Sequence, residues 1–155
     1  MRSTRSTVLK FTALVALALL SAGCASTSGT KYRDMANTLS RIKPGEGRIY
    51  FFRADTPFGA ALQPGVRLNK VAVGKSKPGS FFFVDRPAGT YLAATTSDPQ
   101  KTLGVPLGEG ESIYVRMSPS FGLVAGSIVL DLEAPEKAKA ELGWLAYSGQ
   151  AILDK

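Results

Sequence analysis

SIYVRMS, residues 112–118, alternates apolar and polar side chains one by one. Successive side chains of a strand point to opposite faces, so Ile113, Val115 and Met117 turn one way and Tyr114 and Arg116 the other. One apolar and one polar face mark a strand of an antiparallel sheet packed on a single side. SIVLDLE, residues 127–133, repeats the pattern, with Ile128, Leu130 and Leu132 inward and Asp131 and Glu133 outward.

Working outward, RIYFFR (48–53), SFFFVD (80–85) and TYLAATT (90–96) are rich in the aromatic and β-branched residues that strands favour. Phe51 and Phe52, like Phe81, Phe82 and Phe83, address both faces, which predicts central strands covered on both sides; the alternative is an apolar patch on one face that binds something. VRL (66–68) and VAV (71–73) flank Asn69-Lys70, a two-residue turn that closes a hairpin. Residues 101–107 read as a weaker strand, demoted to an edge by Pro106. RPAG (86–89) and GEGE (108–111) are turns.

Residues 31–42 hold a turn or two of helix, broken by Pro44-Gly45. Residues 134–142 form a second short helix, with Pro135 in its first turn and Gly143 as its stop. The apolar residues 121–130 are too few to span a bilayer and contain two glycines, so they read as loop and core strand. Trp144 and Tyr147, in the tail, are expected to dock on the domain, the alternative being contact with a partner. Many short strands punctuated by Gly and Pro predict a mainly β fold, a small antiparallel β-sandwich with short flanking helices.

The amino terminus has a different grammar. Arg2, Arg5 and Lys10 precede an apolar run, residues 11–20, which ends in Ser21-Ala22-Gly23 before Cys24. Charged, apolar and small-residue regions in that order are the parts of a secretory signal peptide, and the run is short of the ~20 residues of a stable span. Ala22-Gly23-Cys24 resembles the lipobox of bacterial lipoproteins. In that family the cysteine sulfur is acylated and the peptide is cut just before it. The resemblance implies that Cys24 is a lipid anchor, holding the chain to a membrane. The alternative is an ordinary signal peptide with an incidental thiol. Ala25 follows the cysteine, where lipoproteins retained in the inner membrane carry aspartate, so the resemblance implies the outer membrane; orientation is not readable from it, and a periplasm-facing domain is the expectation. The expected organisation is a signal peptide over 1–23, a lipidated tether and short helix over 24–43, the sandwich over 44–133, and a C-terminal helix and tail over 134–155.

Composition bounds the chemistry. Loss of residues 1–23 removes Arg2, Arg5 and Lys10 and no acid, leaving 16 basic against 12 acidic residues, a net charge of +4. Lys70, Lys75 and Lys77 are the tightest basic group. They surround a turn and read as a solvated face, so no nucleic-acid partner is expected. The chain has no histidine and a single cysteine. With Cys24 acylated it lacks the usual zinc ligands, the Ser-His and Cys-His pairs, and the commonest general base. No cofactor or metal is expected, and no catalytic residue is assigned.

The blocks GRIYFFR (47–53), VRLNKVAVG (66–74), GSFFFVDRPAGTY (79–91) and GEGESIYVRM (108–117) resemble, in order and spacing, a family of small bacterial envelope domains of unknown function, DUF2846. Lys70 stands where that family has a turn glycine, and Ala88 where it has a second proline. The Pro-x-Gly-x-Tyr turn at Pro87, Gly89 and Tyr91 is shared with transthyretin-like and PEGA-like sandwiches. The resemblance implies the fold and lends no catalytic residue.

Tyr114 and Arg116 are the candidate binding surface, because arginine offers a bidentate fork and tyrosine a flat stacking face. Against this, Arg53 and Arg116 could pair with Asp85 or Asp131 across strands. Alternation sets Tyr50 and Arg53 on opposite faces. The reading is a lipid-anchored, non-catalytic binding module with an envelope protein as partner. The alternatives are a carrier or sensor of a small apolar or anionic ligand and, with no spaced acid pair to support it, a carboxylate-only hydrolase.

Overall fold

The computed structural model describes residues 29–121 and 126–149. Cys24 and the signal sequence lie outside the described residues. A helical turn α1 (Tyr32–Met35) runs into a 3-10 turn (Ala36–Thr38). Eight strands follow: β1 (Glu46–Arg53), β2 (Gly65–Leu68), β3 (Val71–Lys75), β4 (Ser80–Pro87), β5 (Gly89–Thr95), β6 (Asp98–Leu107), β7 (Ser112–Phe121) and β8 (Gly126–Leu132). Helix α2 (Pro135–Leu142) and a two-residue strand β9 (Ala146–Tyr147) complete the described chain.

The strands form two sheets, β8-β7-β1-β4-β9 and β3-β2-β5-β6, and the fold is a small β-sandwich. Most neighbours are antiparallel, but β7 lies parallel to β1 and β9 parallel to β4. The cause is the path of the chain: after β4 it crosses to the second sheet for the β5–β6 hairpin and returns beside β1. Sequence alternation alone does not carry that information.

The aromatic runs behave as expected of covered strands. Phe51 and Phe82 face the interior with Ile49, Val66, Val84, Val105, Val115 and Met117. Their rings stack 5.0 Å apart across the β1–β4 pair. Phe82 also lies over Gly74, where a Cβ would come within 2.6 Å of its ring, so β3 needs glycine there for the sheets to close. Fully burying each such phenylalanine contributes about 1.5–3 kcal/mol. On the other face of β1, β4 and β7, a second apolar layer gathers Tyr50, Phe52, Phe81 and Tyr114 under Ala138, Leu142 and Leu145. Ala138 and Leu142 are the buried residues of α2, one turn apart, which is how that helix seats on the sheet.

The flanking segments are part of this structure. Ala146 donates to the Gly79 carbonyl, Tyr147 to that of Thr30, and Tyr32 to that of Leu145. Gly29 passes so close to the Tyr147 carbonyl that a Cβ would sit 2.2 Å from its oxygen. The first and last described segments thus clasp each other beside the start of β4. The Asn69-Lys70 hairpin turn has φ of 48° and 69°, the pair of positive values of a type I′ turn. β6 is an edge strand, as Pro106 foretold, and extends back to Asp98. Leu132 departs from expectation: it is 48% exposed, at the end of the edge strand β8.

Candidate functional site

The outer face of the five-stranded sheet carries the polar chemistry. Arg48, Tyr50 and Phe52 alternate onto it from β1, and their partners in register are Asp85, Phe83 and Phe81 on β4. Arg48 meets Asp85 through two bonds, Nε to Oδ1 at 2.6 Å and Nη2 to Oδ2 at 2.7 Å, and donates also to the Ser40 carbonyl. Its guanidinium sits 4.3 Å from the Phe83 ring centroid, and the Asp85 bond holds it firmly protonated. Tyr50 stacks on Tyr114, and Tyr32 meets Tyr50 edge-on at 6.0 Å. Burial pushes the Tyr50 phenol up to about 12, against the opposing hydrogen bond to Arg48. Tyr114 is raised as well, by burial first and by the nearby Tyr32 second.

Tyr114 and Arg116 do point away from the sandwich interior, but they do not form the exposed surface expected of them. Tyr114 is only 4% exposed, beneath the layer that α2 and Tyr32 complete. Arg116 donates to Glu133 at 2.8 Å and grips Glu141 of α2 with both terminal nitrogens, at 3.1 and 2.7 Å. Its guanidinium lies 4.8 Å from the centre of the Phe52 ring. The Glu141 bonds raise the Arg116 pKa, and the Arg116 bond in turn lowers that of Glu133. The partners are therefore neither Asp85 nor Asp131. Arg116 docks the helix, and its fork is occupied.

Arg53 faces the opposite way from Tyr50, as alternation required, and has a different surrounding. It is 1% exposed, and its terminal nitrogens donate to the carbonyls of Leu62, Ser76 and Gly59. Its Nε has no hydrogen-bond partner. Desolvation lowers its pKa. A buried guanidinium ringed by carbonyl oxygens is a clamp for the 54–64 loop, and no sequence pattern distinguished it from its neighbours in RIYFFR.

Between the sheets, beside β6 and β8, a cleft of about 30 Å³ is lined by Thr95, Lys101, Leu103, Ile128 and Leu130. That is room on the scale of one water molecule. Among the described residues no group of three His, Cys, Asp or Glu side chains could hold a metal ion, and no helix is long and apolar enough to cross a membrane.

The tail divides in two. Tyr147 docks beside Phe81 and Phe83, with centroids 5.5 and 5.7 Å away. Trp144 does not dock: it is 66% exposed at the turn after α2. Over its ring stand Arg33, with its guanidinium carbon 4.6 Å from the centroid, and Lys31, with Nζ at 6.0 Å. Asp34 pairs with Arg33 at 3.6 Å, both side chains being solvated. This indole with two cations is an exposed aromatic–basic cluster, beside the first described residues of the chain. Sequence reasoning missed it because Lys31 and Arg33 lie more than a hundred positions from Trp144. Comparison of the chain with protein-family models, with curated proteins and with solved structures gave no match.

Proposed function

We propose that the chain is an outer-membrane lipoprotein, anchored through Cys24, whose periplasmic β-sandwich acts by binding an envelope protein and carries out no reaction. The observation that carries this reading is the order of Arg2, Arg5 and Lys10, the apolar run, and Ala22-Gly23-Cys24. Several acyl chains on one cysteine anchor far more firmly than a single chain can.

The charges of the outer face have a structural use, so a binding role falls to other parts of the surface. Arg48 and Arg116 are held by Asp85, Glu133 and Glu141, which leaves those acids committed to pairs that seat the outer layer. The DUF2846-like blocks coincide with β1, the β2–β3 hairpin, β4 into β5, and β7, so the resemblance follows the strands that build the sandwich.

Two measurements test the reading. The mass of the mature protein should correspond to a chain starting at Cys24 and carrying acyl groups; a free thiol at Cys24 would refute the anchor. Crosslinking in intact envelopes, with the native chain beside a soluble Cys24→Ala form, should recover a specific protein with the anchored chain. Recovery of nothing above background would overturn the binding module.

A further inference from the structure

Cys24, the anchor proposed above, precedes Gly29 by five positions, and Gly29 lies beside Tyr147 in the clasp that also carries Trp144. Residues 25–28 are all that separates Cys24 from Gly29, so the anchor lies within about 18 Å of the domain's entry even if that segment is fully extended. At the entry itself are Lys31 and Arg33, and against them Trp144. An indole is amphipathic and gathers at the level of lipid headgroups. Lysine and arginine beside an anionic leaflet each add roughly 1 kcal/mol of attraction. A solvated indole capped by two cations, held close to a bilayer by a short tether, matches that surface in polarity and in charge.

We infer that Trp144, Arg33 and Lys31 form a docking surface for the anionic lipid headgroups of the membrane that holds the anchor, and that this contact sets the orientation of the sandwich. The inference rests on the anchored reading for its geometry, and its chemistry is tested without the anchor. Docking seats the entry pole on the bilayer. The opposite pole, with the turns at Pro87, Ala88 and Gly110, then faces the aqueous space, where a partner would meet it.

Trp144 is the only tryptophan of the chain, so its fluorescence reports this surface alone. The test uses a soluble chain beginning at residue 24 with Cys24→Ser; it retains every described strand and both apolar layers, which lie within 29–149. With vesicles of phosphatidylethanolamine and phosphatidylglycerol, the emission should move to shorter wavelength and be quenched by brominated acyl chains. Vesicles of phosphatidylcholine alone should leave it nearly unchanged. Lys31→Gln with Arg33→Gln should weaken partitioning about 30-fold, and Trp144→Ser should weaken it in a sedimentation assay. Emission indifferent to anionic vesicles would overturn the proposal, as would equal binding to phosphatidylcholine or a double variant that binds like the parent. Because this chain carries no lipid, failure here is separate from failure of the anchor, which is read by the mass of the native protein.

Discussion

Tyr50 and Tyr114 lie ring on ring, with centroids 5.2 Å apart and planes 8° from parallel, as direct partners across the parallel pair β1–β7. Such a contact adds about 0.5–1.5 kcal/mol beyond the area the rings bury. It also places two phenols in a low-dielectric layer where neither ionises readily.

Alkali should therefore unfold the domain. A tyrosine whose folded-state pKa is raised contributes stability below its unfolded value of 10.0, and that contribution is lost as pH rises toward about 12 for Tyr50. Denaturant midpoints followed against pH should fall across this window. Tyr50→Phe keeps the stack and removes the titrating group, so its alkaline fall should be shallower; an identical fall would assign the effect to other groups.

Arg116→Glu should lower the thermal midpoint by about 5–10 °C, since it sets a third carboxylate against Glu133 and Glu141. Arg116→Met keeps the contact with Phe52 and should lose less. The acid limb supplies a second check. Glu133 has a lowered folded-state pKa, so its contribution is present above 4.5 and disappears as pH falls through the folded value. In Arg116→Met that acid dependence should flatten, and thermal melts at descending pH would reveal a slope left unchanged.

Arg53→Met should cost about 2–4 kcal/mol: it relieves a buried charge but strips the carbonyls of Gly59, Leu62 and Ser76 of their donor. The 54–64 loop should then be the first site of limited proteolysis. Parental stability together with parental resistance to protease would show that the loop holds itself.

Lys70→Gly should stabilise by about 0.5–1 kcal/mol, because Lys70 sits at φ 69° in a turn whose second position favours glycine. Urea denaturation of the single variant measures the gain directly. A loss would mean that the greater freedom of glycine in the unfolded chain outweighs the relief of strain.

Much of the sandwich is legible in local pattern. Alternation at Ile113, Val115 and Met117 fixes which side of β7 is interior, and the phenylalanines of β1 and β4 announce strands with both faces covered. Pro135 and Gly143 bracket α2 as expected. Less is legible where distant segments meet. A period of two shows that Tyr114 and Arg116 leave the interior, but not that α2 lies across them. The same limit hides the clasp of Gly29 with Tyr147 and the cations over Trp144. Arg48 and Asp85 are readable in retrospect, as an arginine near the start of one strand and an aspartate near the end of its antiparallel partner. The Arg53 clamp has no such signal, since its partners are main-chain carbonyls in a loop of irregular path.

The clasp also decides how the domain would bear mechanical load. Its two ends leave side by side, so tension between them does not shear long strands past one another. It peels: the Tyr147–Thr30 bond goes first, then Tyr32–Leu145, one at a time and at low force. β1, the next strand along the chain, is held along both edges and resists further peeling. A tug that opened the clasp would release chain at both edges of the described domain and leave the sandwich intact, so the fold has slack built in ahead of its core.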